Sequence, residues 1–272
     1  MREFDIVVIG AGPAGYVGAI RAGQLGAKVC LIEKDEVGGV CLNRGCIPTK
    51  VLTNLVELAE KIKNCKALGM DVEGTFKPDI KAALKRKREL VSGQVKGINS
   101  LLTKRGVVLV RGTASFAGER TIEVAGAGGA QTGSAPRILV ATGSEPSGLS
   151  SLSFDGAGVI SSNEALELEV MPRSILIVGA GAIGCEFAYI FSGLGVDTTL
   201  LYRGPKILRG FDEELRDHLT EELFKRRIDV VCNADIAAID KGWTHLKVTL
   251  KDGSTVETGA VMFATGRIPN TK

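Results

Sequence analysis

Cys41 and Cys46 stand four residues apart in Gly38-Gly39-Val40-Cys41-Leu42-Asn43-Arg44-Gly45-Cys46-Ile47-Pro48-Thr49-Lys50. Two such thiols suit disulfide exchange, because the thiolate is the species that attacks a disulfide. The second cysteine precedes the first turn of a predicted helix, and Lys50 follows closely; a helix N-terminus and a lysine both lower a thiol pKa. Zinc is the competing reading, and it needs two further ligands. The chain has 6 Cys and 2 His, with no second cysteine pair and no clustered histidine, so no metal site is expected. Cys30, Cys185 and Cys232 lie in apolar surroundings and read as buried small hydrophobes.

The elements that must position this pair come from a repeated layout. Asp5-Ile6-Val7-Val8-Ile9 is a strand-like run followed by Gly10-Ala11-Gly12-Pro13-Ala14-Gly15, a helical segment to Leu25 and a strand ending at Glu33. The layout returns at Ser174–Val178, Gly179-Ala180-Gly181-Ala182-Ile183-Gly184, a helix from about Cys185 to Leu194 and a strand from Asp197 to Tyr202. In each copy the first glycine permits the tight turn and the second lets a pyrophosphate approach the backbone. The third brings the helix close to the strand with its N-terminus aimed at the phosphates. Both copies are read as dinucleotide sites. Glu33, 23 residues after Gly10, is expected on the ribose of the first dinucleotide, and the cysteines begin eight residues beyond it. The same count from Gly179 reaches Tyr202 and then Arg203, with Arg209 six further on. Arginine there accommodates the 2′-phosphate of NADP, where a carboxylate would grip the ribose of NAD.

A second echo marks the seams: Ala141-Thr142-Gly143 before Pro146, and Ala264-Thr265-Gly266 before Pro269. The expected fold is α/β, with two Rossmann-like dinucleotide-binding domains at 1–147 and 148–272, each carrying a β-meander. Val107–Val124 and Val230–Thr258 supply the meanders, with a loose glycine-rich loop from Gly126 to Ser134. Two helical segments, Thr49–Lys66 and Lys77–Lys104, lie between the first repeat and its meander, the second interrupted at Gly93 and Gly97. Its Lys85-Arg86-Lys87-Arg88 run reads as a solvated face. With 34 Lys plus Arg against 31 acids, the charge is too balanced for a nucleic-acid or membrane-surface partner. No apolar run is long enough to span a bilayer. Met1-Arg2-Glu3 opens no signal-peptide pattern, so a cytoplasmic protein is expected.

Taken together, GAGPAG, Glu33, GGVCLNRGCIPTK, two ATG turns and GAGAIG resemble the pyridine-nucleotide:disulfide oxidoreductase family over essentially the whole chain. The cysteine segment is most similar to its dihydrolipoamide dehydrogenase branch. The resemblance implies FAD in the first domain and NAD or NADP in the second, with electrons passing between nicotinamide, flavin and a Cys41–Cys46 redox disulfide. It implies that Cys46 is the flavin-proximal thiol and Cys41 the thiol that exchanges with substrate. Lys50 matches the lysine near flavin N5, and Glu186 the acid that pairs with it. For FAD it implies Gly10, Gly12, Pro13, Ala14, Gly15, Glu33, Lys34, Gly39, Val40, Cys41, Lys50, Ala114, Ala141, Thr142 and Gly143. For the nicotinamide nucleotide it implies Gly179, Gly181, Ala182, Ile183, Gly184, Tyr202, Arg203, Arg209, Ile236 and Gly266. Gly184 is typical of NAD-binding members, whereas the Arg203–Arg209 pair is similar to the 2′-phosphate clamp of glutathione reductases.

The implied partners are small disulfides or dithiols, including lipoyl groups of a 2-oxoacid dehydrogenase complex, and a homodimeric parent protein. Family members continue beyond the point that matches Lys272, through the rest of the FAD domain and a dimerisation domain carrying a His–Glu acid/base pair. Neither His218 nor His245 has a context to replace that histidine. The 272-residue chain alone is therefore expected not to turn over. The alternatives are a glutathione reductase-like NADPH enzyme and, from a different class, a non-catalytic nucleotide-binding fragment.

Overall fold

The structure, a computed structural model, describes residues 2–71, 73–74, 76–126, 129–148, 154–156, 158–243 and 245–271. Two compact units make up the chain: Met1–Pro48, Lys87–Glu145 and Pro269–Lys272 form one, Thr49–Arg86 and Pro146–Ile268 the other.

In the first unit, four parallel strands run in the order Val108–Arg111, Val29–Glu33, Ile6–Ile9, Ile138–Val140. Val29–Glu33 is buried at every position, which is why it reads as a continuous apolar run rather than an alternating one. Helix α1 (Pro13–Gln24) packs on this sheet through Ala19. The meander Thr113–Gly118, Thr121–Ala125, Gln131–Ser134 is antiparallel and gains Arg2–Glu3 as a parallel edge strand. Gln131–Ser134 is thus a strand, where composition suggested loop; its pairing with Thr121–Ala125 satisfies backbone groups that polar, glycine-rich sequence does not advertise. Positions 127 and 128 of the expected glycine-rich loop lie outside the described residues, as do 149–153 in the connection between the repeats.

In the second unit, five parallel strands run in the order Val159–Ser161, Ala260–Phe263, Ser174–Val178, Asp197–Leu201, Asp229–Val231. A three-stranded antiparallel meander follows: Ile236–Lys241, Leu246–Leu250, Thr255–Thr258.

Between the first repeat and its meander, α2 spans Gly39–Arg44, α3 spans Cys46–Lys63 and α4 spans Ile80–Lys104. α3 begins three residues before Thr49, with Pro48 in its first turn, where a missing N–H costs nothing. α4 is unbroken through Gly93 and Gly97. Its apolar face (Val95, Ile98, Leu102) joins the first unit's core, and that burial outweighs the ~1 kcal/mol cost of each helical glycine. Of its basic run, Lys85, Arg86 and Arg88 are exposed but Lys87 is buried, so the solvated-face reading holds for three of the four.

The units do not follow a single cut near residue 147. Leu52 and Leu55 of α3, with Ala83 and Leu84 of α4, pack into the core built on Phe187, Ile190 and Phe191 of the helix Ala182–Gly193. α5 (Ser162–Ala165) opens with a capping box, α6 covers Ala182–Gly193, and α7 covers Glu213–Lys225. Among the described residues no helix is long and apolar enough to cross a membrane.

Candidate active site and nucleotide cradles

The first cradle forms where Ile6–Ile9 turns into α1. Gly10 has φ +98°, and a Cβ on it would lie 2.3 Å from the Ala141 oxygen, so only glycine lets the Ala141–Gly143 turn approach. A Cβ on Gly15 would lie 1.7 Å from the Gly10 oxygen, which fixes the spacing of helix and turn. Gly12 caps α1 without a side chain, leaving the first-turn N–H groups free of any side-chain acceptor. Gly39, at φ +60°, packs against Gly12 (its Cβ would be 2.5 Å from the Gly12 Cα), and the Gly38 N–H donates to the Ala11 carbonyl at 2.8 Å. Unmet helix N–H groups and a bare glycine backbone are what a pyrophosphate requires, so the residues fit a dinucleotide.

Glu33 is buried and holds the turn from the side: Oε2 accepts from the Ala11 N–H at 2.6 Å and Oε1 from the Asp35 N–H at 2.8 Å. A carboxylate has about four acceptor positions, so two remain for further donors. Sequence reasoning missed the residues that tie down the following segment. Arg44 pairs with Asp35 at 2.7 Å, and an Arg111 guanidinium N–H donates to the Asp35 carbonyl. Lys34 is exposed beside them, Val40 and Ala114 are half-buried, and Asn270 engages Thr142 and Gly143.

The cysteines occupy the join between α2 and α3. Cys41 is in α2, Gly45 ends it, and Cys46 opens α3. A Cβ on Gly45 would meet the Val40 oxygen at 3.0 Å and the Cys41 Cα at 3.3 Å, so the chain folds back tightly and returns the second sulfur to the first. The two thiols are hydrogen-bonded neighbours; both are free, Cys46 exposed and Cys41 half-buried. The thiol pKa of Cys41 is raised. Burial, reinforced by the hydrogen bond and charge of Cys46, pushes it up.

Lys50 and Glu186 meet although 136 residues separate them, α3 supplying the ammonium and α6 the carboxylate. The pair is open to solvent, with side chains 64% and 38% exposed. At that exposure an ion pair contributes about 0–1 kcal/mol, so its importance is positional.

The second cradle copies the first in hydrogen bonds as well as residues. Gly179 N–H donates to Leu201 O as Gly10 N–H does to Ile32 O, each at 2.8 Å. Gly179 (φ +107°) abuts Ala264 as Gly10 abuts Ala141, and a Cβ on Gly184 would lie 1.9 Å from the Gly179 oxygen. Gly181 caps α6 without a side chain and faces open space; Ala182 is exposed and Ile183 half-buried. These residues also fit a pyrophosphate. Where Glu33 stands in the first copy, Tyr202 folds its ring over Gly204, and Arg203 and Arg209 are exposed. The loop carrying Arg209 is braced: Leu208 N–H donates to Ala180 O at 2.8 Å, and Arg216 Nε and Nη2 donate to the Ile207 and Lys206 carbonyls. Lys251 beside Asp235 holds that carboxyl low, with a smaller contribution from Arg203. Ile236 is buried in the core, so only its backbone could face a nucleotide. Gly266, at φ +122°, accepts the Ser147 N–H.

The site and fold define a dinucleotide-binding protein with a neighbouring thiol pair, and comparison with known proteins agrees. Residues 4–272 match the family model for pyridine nucleotide-disulphide oxidoreductases, and the chain belongs to that family. It is 38% identical over 270 residues to the dihydrolipoyl dehydrogenase of Chlamydia pneumoniae, covering 99% of this chain and 58% of that protein. It is 37% identical over 271 residues to a glutathione reductase of Burkholderia cepacia, again covering 99% and 58%. The fold superposes on LpdA from Mycobacterium tuberculosis with a TM-score of 0.91 at 26% identity, covering 100% of this chain and 60% of that one. The chain thus spans a little over half the length of these relatives.

Proposed function

We propose that this chain carries the nucleotide sites and the redox disulfide of a flavoprotein disulfide oxidoreductase of the dihydrolipoamide dehydrogenase type. FAD is assigned to the first unit and a nicotinamide nucleotide to the second. The observation that carries the reading is the hydrogen-bonded Cys41–Cys46 pair, in the same unit as the Gly10–Gly15 cradle and one helical entry beyond it. When bound, FAD supplies a two-electron carrier between nicotinamide and thiols.

The chain's own residues do the rest. In the oxidised pair, a substrate thiolate attacks the Cys41 sulfur; the new S–S bond forms as the Cys41–Cys46 bond breaks and Cys46 leaves as thiolate. The second substrate sulfur, once deprotonated, attacks the first and releases Cys41, so the substrate leaves as a disulfide and both cysteines are reduced. Lys50, one turn after Cys46 on α3, presents an ammonium whose direction Glu186 fixes. The glycine turns and the N-termini of α1 and α6 bind the phosphates. A homodimeric, cytoplasmic parent acting on lipoyl groups of a 2-oxoacid dehydrogenase complex fits this assignment. Dihydrolipoamide oxidation by the full-length gene product tests it: Cys41→Ser and Cys46→Ser should each abolish turnover, and wild-type rates in either variant would overturn the reading.

A second reading, a glutathione reductase-like enzyme using NADPH, is favoured by Arg203 and Arg209 at the place where a ribose-binding acid is missing. Two guanidiniums make charge-assisted bonds to a 2′-phosphate that NAD cannot match. At ~1.5–3 kcal/mol per charged hydrogen bond, losing one shifts affinity about tenfold or more. Arg203→Ala with Arg209→Ala should therefore erase a preference for NADPH over NADH in kcat/KM; an unchanged ratio would leave NAD as the nucleotide.

A further inference from the structure

The internal repeat extends past the ATG turns into a reciprocal clasp. Aligning Ala141–Ser147 with Ala264–Asn270 makes Ser147 and Asn270 equivalent positions. Each ATG turn is held by the residue from the other copy. Thr142 Oγ1 donates to the Asn270 carbonyl at 2.7 Å and the Asn270 N–H donates to the Gly143 carbonyl at 3.0 Å. Likewise Thr265 Oγ1 donates to the Ser147 carbonyl at 3.0 Å and the Ser147 N–H to the Gly266 carbonyl at 2.9 Å. The copies differ in one respect. Asn270 adds a side-chain bond, Nδ2 to the Thr142 carbonyl at 2.9 Å, whereas the Ser147 hydroxyl only approaches Thr265 Oγ1 at 3.5 Å.

We infer that Asn270 is a positioning residue for FAD, holding the Ala141–Gly143 turn as a fixed wall of the first cradle. The inference rests on the assignment of FAD to that cradle. The turn needs a holder because it contains Gly143 at φ +72°, a permissive residue, and because it lies directly on Gly10. Any tilt drives the Ala141 carbonyl toward the glycine backbone that must meet the pyrophosphate. Main-chain bonds fix the turn's ends; the Asn270 carboxamide fixes the Thr142 peptide between them. The turn held by three hydrogen bonds belongs to the site of the resident cofactor, and the one held by two to the site whose nucleotide comes and goes. That division matches rigidity to residence, since ordering a wall before binding removes its cost from the binding step.

The test is FAD release and rebinding in the full-length gene product, followed by flavin fluorescence, for Asn270→Ala and the near-isosteric Asn270→Asp, which keeps the shape but loses the donor. Both should raise the FAD dissociation constant roughly three- to tenfold, the effect of one neutral hydrogen bond. Ser147→Ala, the matched change in the other repeat, should leave it unchanged. Melting of apo and FAD-loaded protein separates positioning from general stability: the FAD-dependent rise in Tm should shrink in both Asn270 variants. Equal FAD affinity in the variants and the wild type, or equal loss of Tm with and without FAD, would overturn the inference alone. A wild-type protein that binds no FAD would overturn it together with the assignment beneath it.

Discussion

Cys41, Cys46 and Cys185 show how position, not residue type, sets thiol chemistry. Cys41 is raised by burial and by its neighbour, while Cys185, at the base of α6, is pushed up to about 12 chiefly by burial and then by the Glu186 charge. A thiol titrating near 12 is about one part in ten thousand thiolate at pH 8, and the thiolate is the reactive form. In the reduced native protein, iodoacetamide at pH 8 should label Cys46, the exposed member, and leave Cys185 untouched until the chain is unfolded. Labelling of Cys41 should climb as pH rises past the ordinary thiol range, because its raised pKa keeps it protonated below that point. Site-resolved mass spectrometry over a pH series checks this; early labelling of Cys185, or Cys41 labelling that is flat with pH, would contradict it.

Among the elements, α3 and α6 matter most, because they bring Lys50 to Glu186. Their approach depends on a small residue at Gly193. A Cβ there would lie 2.1 Å from Val56 Cγ1, and Val56 is fully buried on a helix, where its branched side chain has little rotamer freedom. Gly193→Ala should cost about 1–3 kcal/mol by overpacking, and Val56→Ala in the same chain should recover much of that loss. Chemical denaturation of the two single variants and the double gives the coupling; additive losses would mean that the helices do not touch there. Farther along α3, Glu60 accepts from Tyr189 and pairs with Arg226, whose guanidinium stacks 4.6 Å over the Tyr189 ring. Burial beside Glu60 pushes the Tyr189 hydroxyl to about 12, so this tie stays intact at any physiological pH.

On the scale of the whole molecule, the second unit is built from two stretches of chain rather than one. Leu52, Leu55, Ala83 and Leu84 complete a core that otherwise belongs to residues beyond 146. A protein comprising only 146–268 should therefore expose the Phe187–Phe191 face and bind 8-anilinonaphthalene-1-sulfonate strongly, as loosely packed states do. Linking 49–86 back to it should quench that dye signal and sharpen the unfolding transition. Cooperative unfolding without dye binding in 146–268 alone would refute this division of the core.

Lys50 and Glu186 were named only through the family resemblance, whereas both glycine turns, the cysteine pair and the strand-ending Glu33 were legible in the sequence itself. Each is set by local rules: a turn that needs positive φ, a helix start without a capping side chain, an apolar run too short for anything but a buried strand. Tertiary structure alone decided the rest. Lys87 reads as one of four solvated cations but is buried, because helical rotation turns one residue of any such run toward the core. Residues 49–86 read as part of the first domain, yet their apolar face finds its partner on α6, more than a hundred residues away. Asn270 carries no motif, and its bonds to Thr142 span 128 residues. Periodicity reveals that a face is apolar or that a turn is tight; which other face or turn it meets is fixed only when the whole chain packs.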